Sequence, residues 1–161
     1  MTRTPAFWSI AFADVPAPDY ADMSVGVLPA GASVDPAVWA SALFSRRSMP
    51  WWVLAAMGLR QAVVPVLGIR PAPRGTFDVR RVEGDEALLS VDDRHLDFRV
   101  GVGVDPVARL VRVTTAVRLK GWRGRLYFAP VRLAHPAVVH AMLQKTVRSM
   151  ERAAAPPSRP K

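Results

Sequence analysis

The stretch DDRHLDFRVGVGVD, Asp92 to Asp105, alternates without a break. Leu96, Phe98, Val100, Val102 and Val104 share one parity, and His95, Asp97, Arg99, Gly101 and Gly103 share the other. A strand sends successive side chains to opposite faces, so the first set belongs to the buried face of an antiparallel sheet and the second to a face that carries charge. A second run, RLVRVTTAVRLK, repeats the pattern: Val111, Val113, Thr115, Val117 and Leu119 oppose Arg112, Thr114, Ala116 and Arg118. The two apolar rows are expected to cover one concave face, over either a solid core or a cavity.

Outward from these strands the same period continues. TFDVRRV and EALLSV, separated by Gly84-Asp85, read as two earlier strands of an antiparallel series. Before them, ADMSVGVLP reads as a first strand with Met23, Val25 and Val27 on one parity. Asp35-Pro36 then starts a helix, since Asp accepts the free N–H groups of the first turn and proline suits the first helical position. Met49-Pro50 opens a second, longer helix to about Leu67 that is apolar nearly all round, with Gly68 as its stop. HPAVVHAMLQKTVRSMERAA predicts an amphipathic helix over about 136–152. Its Val139, Met142, Leu143, Val147 and Met150 lie on one side, and His140, Gln144, Arg148 and Arg152 on the other.

The order of strand, two helices, antiparallel strands and long terminal helix predicts an α+β helix-grip fold, a curved sheet closing around the last helix. It divides the chain into a proline-rich lead-in at 1–19, one domain at 20–153 and a disordered basic tail at 154–161. At 161 residues the chain buries roughly 70% of the surface its unfolded form exposes. Hydrophobic content of 50% against 22% charged residues is that of a globular protein. The absence of cysteine removes disulfides, thiolate metal sites and cysteine nucleophiles, and fits a reducing compartment.

The run PWWVLAAMGLRQAVVPVLGI is broken by Arg60, Gln61 and Pro65, so it is read as buried rather than membrane-spanning. The N-terminus imitates a secretion signal only weakly, and a cytoplasmic location is expected. The net charge of +9 is uneven: residues 1–45 carry one Arg and four Asp, whereas 109–132 carry seven basic side chains and no acid. Such a run makes either a positive surface for phosphate or anionic lipid, or a solvated face. Without a groove-reading element, no specific nucleic-acid partner is expected.

Short motifs carry a family resemblance. DYAD at 19–22, DPAVWASALF at 35–44, PWWVLAAMGLRQAVV at 50–64, DDRHLDFRVGV at 92–102 and TTAVRLKGWRGRLYFAPVRLAHPAVVHAML at 114–143 resemble an uncharacterised bacterial family, the domain of unknown function 2867. The element order resembles the START-like superfamily of polyketide cyclases, lipid-transfer proteins and plant pollen allergens. The resemblance implies a hollow grip and assigns no reaction.

GVGVDP at 101–106 lacks the third glycine of a dinucleotide loop and precedes a strand, so no nucleotide cofactor is expected. No serine sits in a Gly-x-Ser-x-Gly elbow. His135 and His140, five apart, fall on different helical faces, and no metal is expected. His95, Asp97 and Arg99 stand on the charged strand face, where a cross-strand polar network is the ordinary outcome. Arg60 in an otherwise apolar helix must meet a carboxylate, backbone carbonyls, solvent or an anionic ligand. Thr115 is the lone hydroxyl in the inward row, and Tyr127 is placed where the last strand hands over to the terminal helix. The candidate ligand-binding set is Arg60, Phe98, Val100, Val113, Thr115, Tyr127 and Met142, with no catalytic residue assigned. Two readings stay open: a binder of a small hydrophobic molecule inside the grip, and an enzyme of the cyclase or hydrolase type using polar groups at the cavity mouth.

Overall fold

A computed structural model of the chain describes residues 8–51 and 78–155. Five antiparallel strands, β1 (Tyr20–Val27), β2 (Val79–Glu83), β3 (Glu86–Asp92), β4 (Leu96–Asp105) and β5 (Leu110–Leu119), form one sheet in the order β1-β5-β4-β3-β2. Three helices accompany it: α1 (Ile10–Asp14), α2 (Pro36–Leu43) and α3 (Gly121–Ala154). This is the α+β helix-grip arrangement.

The register aligns the two apolar rows, with Phe98 opposite Val117, Val100 opposite Thr115, Val102 opposite Val113 and Val104 opposite Val111. β1 extends each row by one member: Tyr20 pairs with Val117, Asp22 with Thr115, Ser24 with Val113 and Gly26 with Val111. Four transverse rows therefore cross the concave face. Valine fills the two rows at the Gly26 end, and a carboxylate and a hydroxyl interrupt the row of Asp22 and Thr115.

At the valine end the core is closed by Trp39, Ala40 and Leu43 of α2 and by Met142 and Leu143 of α3. Each of the Leu and Met side chains contributes about 1.5–3 kcal/mol by leaving water. Asp35 caps α2, its carboxylate accepting from the Ala37 N–H at 2.8 Å, with Pro36 in the first turn. A Cβ at Gly26 would stand 3.2 Å from Val147 and 3.3 Å from Leu143, so a side chain there would make these neighbours shift. The apolar row of β1, Met23, Val25 and Val27, faces outward and is exposed.

α3 is longer than the periodicity of 136–152 predicts. Gly121, at φ 68°, turns the chain straight from β5 into the helix, which then carries Pro130 and Pro136 inside it. Each proline removes an intrahelical hydrogen bond. Tertiary packing holds these early turns: Phe128 is buried, and Gly124 lies so close to the His95 carbonyl that a Cβ would stand 2.2 Å from its oxygen. Tyr127 consequently sits inside α3 rather than at its entrance.

The other face of the sheet receives residues 9–15. Glu86, buried on β3, accepts from the Ser9 hydroxyl at 2.5 Å and from the Ile10 N–H at 2.9 Å. Gly101 provides the room, since a Cβ there would meet a Glu86 oxygen at 2.0 Å. Ile10, Ala11 and Val15 pack with Leu88 and Ala116 into a second apolar cluster. From residue 52 on, the helix expected over 50–67 lies, with Arg60, outside the described residues.

Candidate functional site

The polar row at the Tyr20 end of the sheet meets α3 at one point. His135 Nδ1 stands 2.8 Å from Asp22 Oδ2, and the Tyr20 hydroxyl donates to the same oxygen at 2.6 Å. Both side chains of the pair are largely withdrawn from water, at 12% exposure for His135 and 14% for Asp22. Three aromatic rings frame them. Phe128 packs edge-on to Tyr20 at 5.1 Å, His135 meets Tyr20 at 5.8 Å, and Phe98 meets His135 at 6.1 Å between ring centres.

The electrostatics follow from this geometry. Burial pushes the Asp22 carboxyl up, but the hydrogen bonds from His135 and Tyr20 outweigh it and hold the group below its ordinary value. Asp22 is therefore ionised at neutral pH and can only accept, so Nδ1 of His135 must carry the proton. In the neutral ring the lone pair then lies on Nε2, which has no hydrogen-bond partner among the described residues. Burial, and after it the hydrogen bond to Asp22, push the Tyr20 phenol well above its usual range, so it stays protonated.

Oδ2 takes two hydrogen bonds and Oδ1 takes none. The register partner Thr115 lowers the carboxyl further through its side-chain hydroxyl, although no hydrogen bond of ordinary geometry joins the two. Asp22 Oδ1 and Thr115 Oγ1 thus end as buried atoms without a partner. Leaving such a group unsatisfied costs about 1–3 kcal/mol, more when it is charged.

Of the residues singled out from sequence, Phe98 and Thr115 come to this cluster. Val100, Val113 and Met142 lie in the packed core beside it. Tyr127 is half-buried on α3, one residue before the ring that touches Tyr20. His95, Asp97 and Arg99 separate into structural roles. Arg99 pairs with Asp14 at 3.0 Å and Asp92 at 2.7 Å, Asp97 with Lys120 at 2.5 Å, and the His95 carbonyl accepts from the Lys120 N–H at 2.8 Å. His140 is exposed. Among the described residues no three His, Asp or Glu side chains converge as a metal site would require.

Tyr20, Asp22 and His135 were not reached by sequence reasoning. The available signal was the DYAD string, whose Tyr20 and Asp22 share the parity of Ser24 and Gly26.

A family model described as protein of unknown function (DUF2867) matches residues 15–142. The chain belongs to this family. The DUF2867 match takes in β1, the whole sheet and α3 as far as Met142, and so contains every residue of the Asp22 cluster. No curated protein matches the chain.

Proposed function

We propose that this DUF2867 chain binds a small, largely apolar molecule at the Tyr20 end of the grip and orients it by one polar group. The buried, unpartnered Asp22 Oδ1 beside the unpartnered Thr115 Oγ1 carries the reading. A ligand hydroxyl donates to Oδ1 and accepts from the threonine, while Phe98 and the neighbouring valines take its apolar body. Pockets of this kind are mostly apolar with a few placed polar groups. The helix-grip order supports placing the family in the START-like superfamily of bacterial and plant binders, and the lack of cysteine supports a cytoplasmic setting.

The Asp22–His135 pair favours a second reading, acid–base catalysis on the same ligand. A carboxylate that fixes the Nδ1–H tautomer leaves Nε2 as a base, and this is how histidine is oriented for proton transfer. Native mass spectrometry of the freshly purified chain tests the binding reading. It predicts a co-purified small molecule that the Thr115→Val variant releases. A parent that carries no adduct and takes up no apolar dye contradicts it. A candidate ligand recovered chemically changed, with change abolished in His135→Gln, favours the second reading.

A further inference from the structure

We propose that the outer face of the first half of α3 docks the protein on an anionic lipid surface. Trp122, Leu126, Ala129 and Leu133 recur at steps of four, three and four, which places them in one stripe along the helix. The stripe points away from the buried side of the same helix, where Gly124, Phe128 and His135 face the sheet. Its large members are left in water: Trp122 is 68% exposed, Leu126 57% and Leu133 79%. Scattered exposed apolar residues are ordinary, but an aligned row on one helix is a surface that stays incomplete in water.

Charge selects the occupant. Arg125 and Arg132 run along one flank of the stripe and Arg123 along the other, with its guanidinium over the Trp122 ring at 5.4 Å. None of the three makes an ion pair with a described residue. From Pro106 to Met150 the sequence has no carboxylate side chain at all, and Arg118 adds a further exposed cation at the entrance to the helix. A helix with Trp and Leu on one face and arginines on both flanks lies in the plane of a membrane interface, its rings and aliphatic chains in the headgroup boundary and its cations on lipid phosphates. Among the described residues no helix is long and apolar enough to cross a membrane. Nucleic acid gains nothing from Leu126 and Leu133, which is why lipid is the partner the stripe fits.

Cosedimentation of the full chain with vesicles of phosphatidylcholine, with and without phosphatidylglycerol, tests the proposal. Partition onto the anionic vesicles should exceed that onto neutral ones by about tenfold or more, and should fall as salt is added. Leu126→Glu combined with Leu133→Glu changes only exposed positions. It should leave the melting temperature unchanged and reduce the partition by about tenfold or more. Arg125→Ala with Arg132→Ala gives an independent variant that should abolish the preference for anionic lipid while keeping the fold. Equal partition onto both vesicle types overturns the proposal, as does full binding by either folded variant. Tighter binding to duplex DNA than to vesicles, retained in the leucine variant, overturns it in favour of a nucleic acid. A dimer that the leucine variant dissociates overturns it in favour of a subunit interface.

Discussion

The carboxylate of Asp22 on the edge strand and Nδ1 of His135 on the terminal helix stand 2.8 Å apart although 113 residues separate them in the chain. This contact ties the helix to the open edge of the sheet. It is also where the only ionised carboxylate of the Asp22–Thr115 row meets a base.

The first prediction concerns pH. The folded chain holds the Asp22 carboxyl below its unfolded value, because the His135 and Tyr20 hydrogen bonds outweigh burial. The stability it contributes is therefore full above the unfolded value and is lost as pH falls through the folded one, below about pH 4. Urea midpoints measured down this range should fall more steeply for the parent than for Asp22→Asn. At neutral pH that substitution should cost about 1–3 kcal/mol. Parallel curves would show that the carboxylate is not coupled to folding.

A second prediction lies on the opposite face. Gly101→Ala drives a methyl into the Glu86 carboxylate that holds Ser9 and Ile10. Overpacking here should cost about 1–3 kcal/mol. Hydrogen exchange should show the Ile10 and Ala11 amides deprotected before those of β4. Unchanged exchange at 9–15 would mean that Glu86 does not anchor the segment.

The third is Met142→Asp, which sets an unpaired carboxylate among Leu143, Val111 and Trp39. The variant should fail to fold, since no basic partner is available in that cluster. Native-like circular dichroism and an unchanged melting temperature would refute the packing of α3 on the concave face.

The strands at 96–105 and 110–119 could be read from sequence because their apolar rows alternate and face the same core. β1 could not be oriented in this way. Its apolar residues Met23, Val25 and Val27 face water, while Tyr20, Asp22, Ser24 and Gly26 face inward. Polar and small residues are tolerated inside only because α3 brings His135 to one end and Leu143 and Val147 to the other, and such non-local pairing leaves no local period. The start of α3 was hidden for a related reason. Pro130 and Pro136 read as breakers, and His135-Pro136 imitates a helix start. The close approach of Gly124 to His95 and the burial of Phe128 override that local preference. The site was half legible: Thr115 and Phe98 stood out in their row, whereas Asp22 and His135 acquire meaning only together.

The measurement that bears most directly on a ligand held at the Tyr20 end is the titration of an apolar fluorescent dye into the parent chain and into Phe98→Trp, with the stability of each determined alongside. Phe98 stands edge-on to His135, at the rim of the polar row. If that end receives a ligand, the parent binds the dye, and the larger indole occupies the same space, blocking the dye at little cost in stability. If the interior there is already filled, the parent binds no dye and Phe98→Trp is destabilised by about 1–3 kcal/mol, which contradicts the binding function proposed for the chain.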